Sequence, residues 1–223
     1  MDTSANTGAS EIQPRKRKRN AKATRDELLQ AATEEFANKG LAGARVEEIA
    51  ARTATSKHMI YYHFGSKEEL YTAVLARAYD QFRSAESATD YTAMAPAKAL
   101  AQLVGNTFDV HAGQPQIVRI IMAENINRGE NIVRIDSFEQ RDLALATMRD
   151  ILDRGAADGS MRQGLDALQI HLTVSALCFH YIANAHTFGH VFGIEAHARQ
   201  ALATRRAEVI DTVMLRCLVS AGQ

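Results

Sequence analysis

Hydrophobic residues recur every three or four positions along most of this chain, which is the spacing that lines one face of an α-helix. Near the front the repeat passes through Leu28, Ala32 and Phe36, and near the end through Val209 and Val213. No run of alternating polar and apolar residues is long enough to indicate a β-strand. The pattern therefore predicts an all-α protein with about nine helices.

Three short helices are predicted in the first part of the chain, and their ends contain typical capping residues. Thr24 and Glu27 form a capping box at the start of the first helix, and Gly40 follows its last apolar residue. Ser56 is a suitable N-cap for the third helix, which ends near Phe64. The residues of the second and third helices that we expect in a small core are Val46, Ile49, Ala50, Ile60 and Phe64.

The second and third helices are separated by a predicted turn at residues 53–55. Two short helices joined by such a turn form a helix-turn-helix, whose second helix can enter the major groove of DNA. We therefore assign residues 21–70 to a helix-turn-helix DNA-binding domain. Ser66 and Glu69 form a second capping box, which starts a long fourth helix leading into the rest of the chain.

Residues 71–223 are predicted to form a larger helical domain. Pro96 and Pro115 suit the first turns of two helices, which end near Gly113 and Gly129. Three later helices are expected at about residues 132–154, 167–190 and 196–219.

Residues 167–194 contain no Asp, Glu, Lys or Arg, and this stretch is long enough to span a bilayer. It also contains four histidines, a glutamine, an asparagine and two glycines, a polar content that hydrocarbon does not favour. We therefore expect a buried helix of a soluble assembly and no membrane partner. The first residues lack an apolar signal region, so we expect a cytoplasmic protein whose Cys178 and Cys217 are reduced thiols.

The formal net charge is zero, but the charges are unevenly distributed. Residues 12–70 contain twelve Lys and Arg against eight Asp and Glu, whereas residues 71–223 contain fourteen against sixteen. A basic N-terminal part followed by a mildly acidic remainder suits a protein that binds nucleic-acid phosphates through its N-terminal part. Residues 1–20, which end in the basic run 15–19, are predicted to be a disordered tail. Contact of this tail with DNA is left open.

Between Gly40 and Leu70 several residues stand in a familiar order. A glycine follows the first helix, an Ile-Ala pair lies in the second, and a serine stands near the turn. The sequence Ile-Tyr-Tyr-His-Phe then precedes Gly-Ser-Lys-Glu-Glu-Leu. This order resembles the TetR family of repressors. The resemblance implies an N-terminal DNA-reading domain joined to a larger helical domain for effector binding and dimerisation.

The residues around the third helix suit contacts with double-stranded DNA. Lys57 could pair with the acceptor edge of guanine, and His58 with a base edge or a thymine methyl. The resemblance implies a phosphate or base contact for Tyr61, and Lys67 would reach a phosphate at the start of the fourth helix. The full set of predicted DNA-binding residues is Arg45, Ser56, Lys57, His58, Tyr61, Tyr62, His63 and Lys67.

Three departures from the family pattern fall in this same region. Ala44 and Arg45 stand where threonines are frequent, and Arg45 could contact a phosphate in their place. Ala54 replaces a common turn glycine, which requires a turn that is not left-handed or one that is strained. Met59 lacks the hydroxyl that is frequent at its position, so a phosphate hydrogen bond there is lost.

The resemblance places a small-molecule effector among the middle helices. The candidates for lining an apolar pocket with a few polar groups are Phe108, His111, Met122, Asn125, Phe138, Met148 and Phe179. Ordinary core packing is the alternative for each of them.

The last two helices have apolar stripes, the first of which suits burial against both the rest of the chain and a partner. The resemblance implies that these two helices form a homodimer interface. These stripes consist of Leu168, Leu172, Phe179 and Ile182, followed by Leu202, Val209, Ile210, Val213, Met214 and Leu218. One helix-turn-helix makes few base contacts, so we expect a symmetric dimer on a palindromic site.

We therefore expect a sequence-specific transcriptional regulator, a repressor that leaves its operator when it binds an effector. The alternative is a regulator or DNA-organising protein of the same fold without an effector. No nucleophile motif, phosphate-binding glycine loop or paired-carboxylate pattern is present, so neither an enzyme nor a cofactor is expected. His186 and His190 have a spacing suited to metal binding, but no third ligand lies nearby in sequence, and no metal site is expected.

Overall fold

A computed structural model describes residues 12–87, 89–135 and 141–219, with side chains described for residues 22–82, 89–135 and 145–219. These residues form ten α-helices and one 3-10 turn, and the described part of the chain contains no β-strand. The all-α prediction is confirmed. The chain divides into two compact units, and the boundary along the chain falls between Val74 and Leu75.

Four helices begin in the first unit, and the last of them continues past its end. They are α1 (Ile12–Gly43), α2 (Val46–Ala51), α3 (Lys57–Phe64) and α4 (Lys67–Ser87). The helices of the second unit are α5 (Pro96–Gly113), α6 (Pro115–Ile126), α7 (Arg141–Ala157), α8 (Ala167–Ala183), α9 (Ala185–Phe192) and α10 (Arg199–Cys217), with the 3-10 turn at Ile132–Arg134.

Local capping explains the helix ends around the helix-turn-helix. Gly40 interrupts α1 with a φ of 65°, a conformation that costs glycine little. The Oγ atom of Ser56 accepts a hydrogen bond from the Met59 amide at 3.3 Å, at the start of α3. The Oγ atom of Ser66 accepts one from the Glu69 amide at 3.0 Å, at the start of α4. The predicted stop at Gly40 and both serine caps are confirmed.

The predicted start of the first helix is wrong. Helix α1 begins at Ile12, so Thr24 lies inside it and does not cap it. The backbone of residues 12–20, which we expected to be disordered, is therefore helical. Arginine and lysine have high helix propensity and Pro14 lies in the first turn, where it is tolerated. Residues 1–11 of the predicted tail lie outside the described residues.

Two predicted helices of the second unit are divided. The helix expected over residues 132–154 starts with the 3-10 turn, and α7 begins only at Arg141. The helix expected over residues 167–190 is divided at Asn184, where α8 ends and α9 begins, and the Asn184 side chain donates a hydrogen bond to the His180 carbonyl at 2.8 Å. A side chain that bonds to a nearby carbonyl in this way competes with the helical backbone.

A buried carboxylate fixes the turn after α6. The Oε1 atom of Glu124 accepts hydrogen bonds from the amides of Asn131 at 2.7 Å and Ile132 at 2.9 Å. Its Oε2 atom accepts a third bond from the Asn131 side chain at 3.1 Å. These bonds satisfy backbone donors that would otherwise be buried without a partner. The turn therefore depends on a residue that periodicity alone does not distinguish from its neighbours.

Each unit has its own hydrophobic core. In the first unit the rings of Phe36 and Tyr71 meet edge to face, with centroids 5.1 Å apart. The predicted core residues Val46, Ile49, Ile60 and Phe64 are buried, whereas Ala50 is half-buried. In the second unit α5 contacts α7, α8 and α10. The buried residues at these contacts include Leu100, Val104, Phe108, Ile151, Val174, Cys178, Val209 and Val213.

None of the described helices is both long enough and apolar enough to cross a membrane. Helix α8, which covers most of the uncharged stretch, has 17 residues.

Replacing Ile151 by alanine tests the core of the second unit. Ile151 is fully buried, so we expect the free energy of unfolding to fall by about 2–5 kcal/mol in urea titrations followed by circular dichroism. Val133→Ala is the control, because Val133 is largely exposed and its loss should change stability by less than about 0.5 kcal/mol. Equal effects of the two substitutions would contradict this description of the core.

Candidate DNA interface

Helix α3 has one buried face and one exposed face. Ile60 and Phe64 point into the core of the first unit. Lys57 and His58 are exposed in the first turn, and Tyr61 and Tyr62 are 39% and 75% exposed one turn later, on the same side. This separation leaves polar and aromatic groups free to enter a DNA groove while the other face holds the helix in place.

Lys57 is paired with an acidic residue of α2. Its Nζ atom forms an ion pair with the Glu47 carboxylate and lies 5.8 Å from the centroid of the Tyr61 ring. The hydrogen bond within this pair lowers the pKa of Glu47 and raises the pKa of Lys57. Glu47 was not among the residues predicted from the sequence, because its partner lies ten positions away on another helix.

The flanking predicted residues have structural partners of their own. Ser56 caps α3 and is exposed, and Arg45 is exposed immediately before α2, where its side chain makes no capping bond. The Nζ atom of Lys67 donates a hydrogen bond to the carbonyl oxygen of Ala44 at 3.3 Å. Lys67 therefore joins the start of α4 to the residue that precedes Arg45. An ammonium group has two further donors with which it could meet a phosphate.

His63 and the turn between α2 and α3 complete this surface. The half-buried His63 ring lies with its centroid 5.5 Å from that of Tyr62. Among the described residues other than glycine, Arg128 alone has a positive φ. The turn at Ala54 is therefore not left-handed, so the missing glycine causes no strain of that kind.

Glu35 of α1 is a buried carboxylate that holds α2 at both ends. Its Oε1 atom accepts a hydrogen bond from the Arg45 amide at 3.2 Å and lies 2.8 Å from the Lys39 Nζ atom. Its Oε2 atom lies 3.0 Å from the Arg52 Nη2 atom, an ionic contact without hydrogen-bond geometry. Since Arg45 precedes α2 and Arg52 follows it, one side chain positions the whole helix.

The partners of Glu35 keep it ionised despite its burial. Burial raises the pKa of the Glu35 carboxyl, but the hydrogen bonds from Lys39 and the Arg45 amide and the charges of Lys39 and Arg52 outweigh it. The pKa therefore lies below its ordinary value of 4.5. A carboxyl with a lowered pKa in the folded state stabilises the fold above the unfolded-state pKa, and this contribution is lost as pH falls through the folded-state pKa.

A second contact from α1 reaches the end of α3. The Arg25 guanidinium lies 4.5 Å from the centroid of the Phe64 ring, a cation–π arrangement. Arg25 and Glu35 were not among the residues predicted from the sequence, because the contacts of Arg25 with Phe64 and of Glu35 with the Arg45 amide and Arg52 join segments that are distant along the chain.

The structure separates the predicted effector-binding residues. Phe108 and Met148 are buried in the core of the second unit. Met122 and Asn125 are exposed on α6, and the Asn125 amide donates to the Ile121 carbonyl at 2.8 Å. Phe138 lies outside the described residues. Within the predicted set, the rings of His111 and Phe179 lie close together, with centroids 6.3 Å apart.

His111 is buried against aromatic side chains. Its ring stacks on Phe82 with centroids 4.5 Å apart, and its Nδ1 atom lies 2.7 Å from the carbonyl oxygen of Thr107. A carbonyl only accepts, so Nδ1 carries the proton and Nε2 is an acceptor in the neutral ring. Burial, with a smaller contribution from the charge of His171, lowers the pKa of His111, which keeps the ring neutral near pH 7.

The predicted dimer stripes are divided between core and surface. Ile182, Val209 and Val213 are buried within the chain. Leu168 and Leu172 remain exposed on α8. Further exposed apolar residues on α9, α10 and the segments that follow them are Val191, Phe192, Ile194, Leu215 and Val219. Among the described residues, no group of three His, Cys, Asp or Glu side chains could hold a metal ion.

Helices α2 and α3, their turn and the exposed face of α3 define a helix-turn-helix DNA-binding protein with a separate helical unit. The chain belongs to the tetR family of bacterial regulatory proteins. Residues 28–74 match the description "Bacterial regulatory proteins, tetR family", and residues 96–213 match "Tetracyclin repressor-like, C-terminal domain". The resemblance drawn from the sequence is confirmed, and the chain is a DNA-binding transcriptional regulator.

Similar proteins cover both units. The HTH-type transcriptional repressor NicS of Pseudomonas putida is 32% identical over 188 residues, which are 84% of this chain and 89% of that protein. The repressor KstR2 of Mycolicibacterium smegmatis is 33% identical over 144 residues, 64% of this chain and 69% of that protein. The crystal structure of a Streptomyces coelicolor transcriptional regulator matches with a TM-score of 0.64 and 25% identity, covering 87% of this chain and 98% of that one.

Glu35→Gln tests the buried carboxylate. We expect the free energy of unfolding at pH 7 to fall by about 1–3 kcal/mol, because an amide cannot replace the charged acceptor of Lys39 and Arg52. The loss of stability of the wild type below about pH 4.5 should also become smaller in the variant. Urea titrations at several pH values measure both effects.

Glu34→Gln is the matched control for this substitution. It removes the same charge from the adjacent residue, for which the described residues provide no ion-pair partner. It should change stability by less than about 0.5 kcal/mol. If both variants lose equal stability, Glu35 does not have the role assigned to it.

Proposed function

We propose that this chain is a cytoplasmic repressor that binds a palindromic operator as a homodimer and is released by a small-molecule effector. The observation that carries the proposal is the exposed face of α3, where Lys57, His58 and Tyr61 lie together beside the helix-turn-helix core. The repressor function named for similar proteins supports the direction of regulation.

In this proposal some of the exposed residues contact base edges and others contact the phosphates of the DNA backbone. Lys57 and His58 read base edges in the major groove, and Tyr61 contacts a phosphate or a base. Arg45 and Lys67 lie at the starts of α2 and α4, where they would contact phosphates on either side of the groove. The remaining residues on this surface are Ser56, Tyr62 and His63.

The homodimer is proposed to form through α8, α9 and α10. Leu172 and Leu215, which are 51% and 76% exposed, support an apolar contact there. A groove of about 550 Å³ is lined by Tyr181 of α8, by the first half of α10 and by the segment between α9 and α10.

The effector is proposed to bind near His111, where its ring lies between those of Phe82 and Phe179. A neutral histidine with a free acceptor, set among aromatic rings, suits a flat apolar molecule that has one hydrogen-bond donor. Phe82 belongs to α4, which begins at Lys67 in the first unit. Effector binding would act through α4 if the ligand binds one position of this helix more tightly than another.

A regulator of the same fold without an effector is the second candidate. It is favoured by the burial of Phe108 and Met148 in the core and by the exposure of Met122 and Asn125 on α6. Thermal unfolding in the presence of a library of small aromatic molecules distinguishes the two candidates. A compound that raises the melting temperature and releases DNA supports the repressor with an effector.

Selection of bound DNA from a random pool tests the proposed function. A homodimer with two helix-turn-helix domains should enrich a palindrome whose half-site centres are about one helical turn of DNA, or a multiple of it, apart. Enrichment of no sequence at moderate salt would overturn the proposal, and enrichment of a single half-site would overturn the dimer.

Lys57→Ala and Lys67→Ala separate base reading from phosphate contact. Loss of Lys57 should relax the preference at one base of each half-site, at a cost of about 1–3 kcal/mol on the selected operator. Loss of Lys67 should weaken binding to all sequences and reduce the slope of log affinity against log salt by about 0.9 per site. Titrations with operator and unrelated DNA at several salt concentrations measure these effects. The division is wrong if both variants weaken all sequences equally.

Leu172→Glu tests the proposed dimer interface. A carboxylate buried between two copies would be unpaired, so the dimer dissociation constant should rise at least about tenfold in sedimentation velocity runs. Val133→Glu is the control, since Val133 is even more exposed but lies outside α8–α10. A Leu172→Glu protein that is folded and as dimeric as the control would place the interface elsewhere.

A further inference from the structure

The surface proposed to face DNA contains an acidic residue, Glu47, although a carboxylate there would repel the DNA phosphates. Glu47 lies in the first turn of α2, is well exposed, and pairs with Lys57 of α3. A carboxylate near the DNA backbone weakens binding to every sequence through like-charge repulsion. The neighbouring Glu48 is also exposed, but the described residues include no ion-pair partner for it. Glu47 thus differs from Glu48 in its contact with a DNA-reading lysine.

We propose that Glu47 is a specificity-determining residue, which holds Lys57 until the acceptor edge of a guanine replaces it. The proposal rests on the base-reading role proposed for Lys57. Breaking an exposed ion pair changes an equilibrium by no more than about fivefold, whereas a good base contact discriminates by about five- to a hundredfold. A guanine edge can therefore displace Glu47.

A single phosphate does not bind Lys57 more strongly than the Glu47 carboxylate does. Its contact with an exposed lysine is of the same kind as the contact with a carboxylate, so the two acceptors compete on similar terms. Glu47 also has the advantage of position, because α2 and α3 pack against each other and Glu47 therefore stays close to Lys57. On DNA of unrelated sequence Lys57 then stays paired with Glu47, neutralises no phosphate and releases no counterion.

The position of Lys57 supports this competition. Its Nζ atom is held on one side by the Glu47 carboxylate and lies over the Tyr61 ring, so the paired lysine has a defined position on the reading surface. The hydrogen bond lowers the pKa of Glu47 and raises the pKa of Lys57, so both groups stay charged around neutral pH. The competition should therefore be sensitive to salt and insensitive to pH in that range.

The test compares Glu47→Gln with Glu48→Gln, each of which removes one negative charge from α2. Glu47→Gln frees Lys57 for phosphates of any sequence. On unrelated DNA we expect its slope of log affinity against log salt to exceed that of Glu48→Gln by up to about 0.9. The ratio of operator affinity to unrelated affinity should fall about two- to fivefold in Glu47→Gln and stay within about twofold in Glu48→Gln.

The same two substitutions in a Lys57→Ala background complete the experiment. If Glu47 acts through Lys57, the two double variants should have equal salt slopes and equal affinity ratios. A ratio that still falls in the absence of Lys57 would overturn the proposal. So would equal salt slopes of the two single variants on unrelated DNA. The salt slope on unrelated DNA can be measured without an operator. Failure to select an operator would therefore overturn the proposed function, whereas the comparison of Glu47→Gln with Glu48→Gln on unrelated DNA would still test the role of Glu47.

Discussion

The buried carboxylate of Glu35 is the interaction on which the DNA-reading surface depends. It contacts the amide before α2 and the arginine after it, so the position of α2 follows from a single side chain of α1. Helix α3 packs on α2, and its exposed face is oriented accordingly. Removing the partners of a buried charge is costly, because the charge then lacks both water and a counterion. The same interaction that positions α2 therefore also makes departures from this arrangement unfavourable.

Several of the described cations of the first unit are already engaged by acceptors of the protein. Arg52 contacts Glu35, Lys57 pairs with Glu47, and Lys67 donates to the Ala44 carbonyl. Arg52, Lys57 and Lys67 are therefore not free charges. When the protein binds DNA, some of these internal contacts have to be exchanged for contacts with phosphates and bases. The difference in free energy between the two sets of contacts contributes to the affinity.

In the second unit, the apolar residues serve more than one purpose. Met148 packs in the core, Leu172 remains exposed on α8, and His111 lies among aromatic rings of α4 and α8. A helical repeat identifies an apolar face, but the same face can be covered by its own chain, a second copy or a ligand. Residue type alone does not distinguish a buried position from an exposed one, and so the predicted effector residues include Phe108 and Met148 in the core and Met122 on the surface of α6.

The sequence by itself determined the features that depend on neighbouring residues. The caps at Ser56 and Ser66 and the interruption at Gly40 involve contacts or backbone angles within about one helical turn, and they define the helix-turn-helix. Only the tertiary structure decided the contacts of Glu35 with the Arg45 amide and Arg52 and the contact of Glu47 with Lys57, because these partners lie outside the helix that contains each carboxylate. Such pairs form after the helices pack, because periodicity specifies which face is buried but not which charges then meet.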